Sequence, residues 1–335
     1  MQRWSSFGRL LGSHMAFIAP FCVAAGVLFP DVFGGLETVV PALFAFMTFQ
    51  GSLNNTFRQV VDTFRHPAQL LVILGVTSVA MPVVARLLAG LLFGNDMSLV
   101  TGIVLEYSIP VAVVSFMWVG MFGGNTALGL SCVLVSTVIA PLTIPAMLQL
   151  LLGESVQIDT VGMMVDMLFM IALPALAGML VNDLTHGWGS KRLSPAISPA
   201  CKVLLMIIIT ANSTEISDYM RNLTPELVAV ALFCLVFASC GFLVGLVIAR
   251  AWHLSLPTTV TMCFDCGLRN ISSGAVIAAA YFPGEAMFPV MMGTLFQQIL
   301  AATFGQGMQR VVAEDRARTD AMVERGLSAS GHDDD

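Results

Sequence analysis

Charge is scarce in this sequence. Only 11% of its 335 residues are Asp, Glu, Lys or Arg, against about 25% in an ordinary soluble domain. With 57% hydrophobic residues, that scarcity excludes a soluble globular domain. The 15 basic residues gather into no stripe or patch, so nothing in the chain points to nucleic acid. Histidine is also scarce, with five in all and none near Glu106 or Asp265, and H-E-x-x-H is missing. An intramembrane enzyme therefore lacks a nucleophile–base set. The seven Cys (22, 132, 201, 234, 240, 263 and 266) fall mostly inside apolar runs, which argues against a disulfide framework. Cys263 and Cys266 form a lone C-x-x-C with no second pair or His cluster, and they read as small packing residues.

What the chain has is apolar runs. Ten can be read between polar or Pro/Gly breaks, at about 15–30, 36–52, 68–92, 98–121, 126–152, 158–182, 199–214, 224–249, 256–281 and 284–309. About 20 residues of helix cross roughly 30 Å of hydrocarbon. The pattern predicts an all-α polytopic membrane protein, with a transmembrane domain over residues 1–310. Much of the net charge of −6 lies in the following stretch, "AEDRARTDAMVERGLSASGHDDD", and residues 311–335 are expected to be a disordered cytoplasmic tail. Arg3 and Arg9 precede the first run as in a signal peptide, but the many similar runs that follow make it the first span.

Basic residues orient the spans. With the N-terminus inside, Arg3, Arg9, Arg58, Arg65, Lys191, Arg192, Lys202, Arg250, Arg310, Arg316, Arg318 and Arg325 all fall on the cytoplasmic side. Only Arg86, Arg221 and Arg269 do not. Both termini are then cytoplasmic, and the expected location is a bacterial plasma membrane. Ten spans divide into five and five; because five is odd, a repeated five-span unit would be inserted upside down, the plan of many secondary transporters. Spans 4 and 9 occupy matching places. Each has a helix breaker beside an acid, Pro110 after Glu106 and Gly267 after Asp265. Matched interrupted spans point to a substrate site at the membrane midplane.

Span 9 holds "TMCFDCGLRNISSGAV", with Asp265, Arg269 and Asn270 close together. A charge at the centre of a span costs about 2.5–3.5 kcal/mol on insertion scales. On an unbroken helix Asp265 and Arg269 would share a face and form a structural ion pair. Alternatively, Gly267 and Asn270 mark an unwound segment lining a cavity or buried in protein. Glu106 in the partner span favours the second reading. Thr77, Ser115, Ser136, Thr137, Gln297 and Gln298 are further polar residues within spans, able to face the same place or to bond between helices.

The stretch "FDCGLRNISSGAVIAAAYF" resembles the Glu-x-Gly-x-Gln-Asn segment and small-residue helix of the bile acid:sodium symporter family. "GGNTALGLSCVLVSTVIAPLTIPAML", residues 123–148, is similar to that family's fifth span, and "FMTFQGSL", 46–53, to the end of its second. The resemblance runs over about residues 10–310. It implies two inverted five-helix repeats, with panel helices 1, 2, 6 and 7 moving against core helices 3, 4, 5, 8, 9 and 10. Broken helices 4 and 9 would cross in the core. It also implies transport of a small organic anion, commonly with sodium.

Of the resembled sodium ligands, Glu corresponds to Asp265, Gln to Arg269, and Asn270 is retained. The Ser-Asn pair of span 4 becomes Ser115 and Phe116, the hydroxyls of span 5 fall near Gly129 and Val133, and the Gln of span 3 becomes Thr77. Sodium would then rest on Asp265 and Ser115. The expected function is a secondary active transporter of a small organic anion at Glu106, Ser115, Asp265, Arg269, Asn270, Thr77 and Gln298. At least one sodium site is degraded and Arg269 stands in for its charge, with Na⁺ or H⁺ as coupling ion. The alternative is a membrane sensor or scaffold that keeps the fold without transport.

Overall fold

The computed structural model describes residues 10–11, 15–59 and 67–330, the side chains of 15–17 and 310–330 excepted. Arg3, Arg9, Arg65 and the last five residues of the expected tail lie outside the described residues. The helices are α1 (Met15–Leu28), α2 (Pro30–Ser52), α3 (Pro67–Phe93), α4 (Met97–Ser108), α5 (Val113–Met121), α6 (Thr126–Leu152), α7 (Thr160–Leu184), α8 (Gly189–Asn212), α9 (Ser217–Arg221), α10 (Pro225–Ala251), α11 (Leu256–Gly267), α12 (Ile271–Tyr281) and α13 (Gly284–Ser330). No strand is present among the described residues.

Among the described residues, seven helices are long and apolar enough to cross a membrane: α2, α3, α6, α7, α8, α10 and the Gly284–Gln309 part of α13. Three shorter apolar stretches are Ile18–Leu28, α4 and α12. Two expected boundaries move. The seventh apolar run was expected at 199–214, but α8 starts at Gly189 and takes in Lys191 and Arg192. The last helix was expected to end near 309, but α13 continues to Ser330. Ala, Glu, Arg and Met between 313 and 325 are good helix formers, and no Pro or Gly intervenes.

Local chemistry sets many of the starts. Asp96 accepts from the N–H groups of Ser98 and Leu99 at the head of α4, Asn125 from Leu128 at α6, Asp159 from Gly162 at α7, and Thr224 from Leu227 at α10. Pro225 takes the first position of α10, where no N–H partner is needed. Inside three helices the backbone widens to π-turns, at Val76–Ala80, Leu168–Ala172 and Gly189–Leu193. Pro82, Pro174 and Pro195 each follow within two residues. Proline brings no N–H, and its ring would strike the carbonyl four residues back, so the wider turn relieves both.

By contact the helices sort into two groups. α1, α2, α7 and α8 pack on one another, while α3, α4, α5, α6, α10, α11, α12 and α13 form the other. The groups meet chiefly where α7 lies on α6 and where α12 lies on α2 and α8. Burial confirms which helices are central. Every residue from Leu99 to Ser108 in α4 and from Thr259 to Gly267 in α11 is buried, the mark of a helix enclosed on all sides. In contrast, α3 and α10 expose Leu87, Leu91, Val236 and Val247, a face suited to lipid.

Candidate substrate and ion site

The two central helices, buried from Leu99 to Ser108 and from Thr259 to Gly267, are also the two that break. α4 stops at Ser108 and α5 starts at Val113; α11 stops at Gly267 and α12 starts at Ile271. The interruptions fall at Pro110 and after Gly267, the breakers that the sequence marks. Between them Val111 and Arg269 form an antiparallel bridge. The crossing is made of backbone.

At this depth every freed backbone group needs a partner. The Ala112 N–H donates to the Leu268 carbonyl at 3.1 Å, and the Asn270 N–H to the Pro110 carbonyl at 2.9 Å. The Val111 N–H donates to Ser136 Oγ on α6 at 3.3 Å. α13 supplies the rest through one side chain. The Arg269 N–H donates to Gln297 Oε1 at 2.7 Å, and Gln297 Nε2 donates to the Arg269 carbonyl at 2.8 Å. Asn270 caps α12, its Oδ1 accepting from the Ser273 N–H.

The side chains around the crossing are less well satisfied. Asp265 is fully buried, and its Oδ1 accepts from the Ser115 hydroxyl across the break. The Cys132 thiol of α6 lies beside the same carboxylate. Oδ2 has no hydrogen-bond partner. Arg269 turns away from this group, interacting electrostatically with Cys266, Tyr107 and Glu106. Among the described residues, neither of its Nη atoms has a hydrogen-bond partner, nor has Glu106 Oε2. The Asp265–Arg269 pair, the alternative that the sequence reading did not favour, is therefore not formed among the described residues. Its premise was an unbroken helix, and the break between residues 267 and 271 aims the two side chains apart.

The structure thus brings Asp265 to Ser115 on one side of the crossing, and Arg269 to Glu106 on the other. Thr77 is buried in the π-turn of α3, where its hydroxyl donates to its own helix at Leu74. Gln298 is half-buried with no hydrogen bond, and the neighbouring Gln297 is the one that holds the break. Thr137 Oγ1 is buried without a partner. Sequence reasoning missed four contributors. Tyr107, which donates to the Cys234 carbonyl at 3.1 Å and meets the Phe237 ring edge-on at 4.6 Å, was one. Cys132, Cys234 and Gly293 were the others. Tyr107 was detectable as the residue beside Glu106 and one of only three tyrosines.

Two of the three arginines left over by the orientation count have structural posts. Arg86 Nε donates to the Leu151 carbonyl at the end of α6, and Arg221 Nη2 to the Leu28 carbonyl at the end of α1. A cation suits a helix C-terminus. Arg269 is the exception, because its guanidinium ends no helix.

A crossing of two broken helices, lined by ionisable groups, belongs to transporters more than to any enzyme. The sequence profile of the Sodium Bile acid symporter family matches residues 40–223. The chain belongs to that family. It is an integral membrane protein of a transporter family. The uncharacterized protein YbaS of Bacillus subtilis (strain 168) is 36% identical over 296 residues, covering 88% of this chain and 97% of the relative. The uncharacterized sodium-dependent transporter YocS of the same organism is 21% identical over 294 residues, 87% of this chain and 89% of that protein. The probable sodium/metabolite cotransporter BASS1, chloroplastic, of Arabidopsis thaliana is 24% identical over 186 residues, 54% of this chain and 44% of the relative.

Proposed function

We propose that this family member is a secondary active transporter of a small organic anion, with one cation site at Asp265 and Ser115 and with Arg269 in place of a second cation. The observation that carries the reading is the crossing itself, where Asp265, Glu106 and Arg269 are buried with unpartnered polar atoms. In a finished structural core such atoms are rare, because leaving them unpaired costs about 1–3 kcal/mol each or more when charged.

The Asp265 side suits sodium in part. A carboxylate oxygen without a partner and the Ser115 hydroxyl are hard ligands. The neighbouring α6 offers the Cys132 thiol at this carboxylate, a soft group that sodium does not favour. Gly129 and Val133 bring no side-chain oxygen. Arg269 offers a permanent positive charge with two free Nη atoms, a planar fork matched to a carboxylate. In this reading the ten apolar stretches are two inverted five-helix repeats in a bacterial plasma membrane with both termini cytoplasmic. The group α1, α2, α7 and α8 is the panel that moves against the core. Residues 1–310 are the transporter, and 311–335 lie in the cytoplasm.

Thermal stability of the purified protein in sodium, choline and potassium at matched ionic strength tests the cation site, and flux into proteoliposomes tests transport. A sodium-specific rise and sodium-dependent uptake of an organic anion are expected. Uptake that requires two sodium ions per anion would refute the role given to Arg269. A second reading, a membrane sensor or scaffold without transport, draws on the missing oxygens at 129 and 133. Binding of an anion without any flux would favour it.

A further inference from the structure

Glu106, Tyr107, Cys234 and Arg269 form a cluster that the cation site at Asp265 and Ser115 leaves unused. Glu106 and Arg269 are 2% and 3% exposed. They interact electrostatically, yet Glu106 Oε2 and both Arg269 Nη atoms have no hydrogen-bond partner. The surroundings of Glu106 are few in kind. From α10 it faces the Cys234 thiol, from the α11–α12 break Arg269, and on its own helix Tyr107. The Tyr107 hydroxyl is already engaged with the Cys234 carbonyl. α13 brings Gly293 and α12 brings Ile271, neither of which titrates. The slot is tight: a Cβ on Gly293 would stand 2.7 Å from Glu106 Oε1 and 2.6 Å from Ile271 Cδ1. A proton fits there far better than a hydrated cation.

Two opposite charges buried together depend on each other, and removing one leaves the other uncompensated. With no anion present, an ionised Glu106 offsets Arg269. An anion arriving on the two Nη atoms supplies that charge instead, and Glu106 becomes surplus. We propose that binding of a carboxylate anion at Arg269 is linked to uptake of one proton by Glu106, which makes Glu106 the proton-carrying group of the transport cycle. The inference rests on the organic-anion reading above. The proton comes from bulk water on the side where the anion enters and forms an O–H bond on the Glu106 carboxyl. It returns to water on the other side when the anion leaves, and no other bond changes.

The full chain in detergent provides the test, as wild type and as Glu106→Gln, Asp265→Asn and Arg269→Gln. Infrared difference spectra across a pH titration should show the carboxylic-acid C=O band of one buried group in wild type and Asp265→Asn. The band should be missing in Glu106→Gln. In Arg269→Gln, where Glu106 has lost its countercharge, it should persist at every pH, and this variant serves where Glu106→Gln does not fold.

Acetate, pyruvate and benzoate, with their amides as controls, then probe the linkage in weak buffer. Wild type should take up one proton per carboxylate bound, with affinity rising about tenfold per unit fall in pH on the alkaline side of the titration. Glu106→Gln should bind without proton uptake and with no pH dependence. Carboxylate binding without proton uptake in wild type, or an infrared band unchanged by Glu106→Gln, overturns the proposal and leaves the anion reading standing. An intact Glu106 band with none of the three probes bound supports the proton site and counts against the anion reading.

Discussion

The Gln297 amide holds both backbone polar groups of Arg269, accepting from the N–H at 2.7 Å and donating to the carbonyl at 2.8 Å. One side chain on α13 thereby replaces the two hydrogen bonds that a continuous helix would have given this residue. Gln297→Leu should leave the buried Arg269 N–H unpaired, at about 1–3 kcal/mol, while the Arg269 carbonyl keeps the Ile271 N–H at 3.0 Å. Gln298→Leu, one position on, should change stability by less than about 0.5 kcal/mol. Thermal unfolding of the two variants side by side checks this. Equal losses would mean that the amide is not what supports the break.

Close helix packing gives a second prediction. A Cβ on Gly245 of α10 would stand 2.2 Å from the Met262 carbonyl oxygen of α11, a backbone atom that cannot step aside. Gly245→Ala should cost about 1–3 kcal/mol as an overpacked contact. Gly75 of α3 has nothing within 4 Å of the same position. Gly75→Ala should stabilise by about 0.5–1 kcal/mol by restricting the unfolded chain and favouring helix. Opposite shifts in unfolding temperature are the expected result.

Sodium should stabilise the wild type relative to choline, by about 2.7 kcal/mol at roughly a hundred times its Kd. Asp265→Asn should abolish the effect, because it removes the carboxylate charge while keeping a side chain of the same size. Ser115→Ala should weaken it. Arg269→Gln restores the side chain of the resembled family at that position and should steepen the sodium dependence toward two ions. A dependence unchanged in Asp265→Asn would place the ion elsewhere.

Stability should also vary with pH through Glu215, in the turn after α8. Burial raises its carboxyl above the ordinary value of 4.5, and the neighbouring Glu37 carboxylate adds to the rise. The folded protein therefore keeps this proton to higher pH than the unfolded chain does. Above the ordinary value the folded state binds more protons, so stability falls as pH rises through the folded value. Glu215→Gln cannot ionise and should flatten that fall. Unfolding temperatures from mildly acidic to neutral pH decide it, and identical slopes in both proteins would contradict it.

The helical membrane character of the chain is plain in the apolar runs, and several ends are fixed by side chains visible in the sequence, such as Asp96 and Asn125 capping α4 and α6. The breaks were also readable, since Pro110, Gly267 and Asn270 are poor helix formers beside acids. What the breaks do to direction was not. Spacing alone puts Asp265 and Arg269 on one face, and only the unwound residues between them send Arg269 toward Glu106. Nor does sequence choose between Gln297 and Gln298, because adjacent residues on a helix differ by about 100° in facing and the rotation of α13 is set by its neighbours. Cys132 and Cys234 are hard to read from sequence for a related reason. A thiol reads as packing until a carboxylate from another helix is placed beside it.

The crossing described above has a mechanical consequence. The Ala112–Leu268 and Asn270–Pro110 hydrogen bonds fasten α4, α5, α11 and α12 to one another at the buried centre of the fold. Pulling these four half-helices apart would break backbone hydrogen bonds between buried groups, so they act as the rivet of the molecule. In the proposed transport cycle, movement would leave the rivet whole and follow the seams where α7 rides on α6 and α12 rests against α2 and α8.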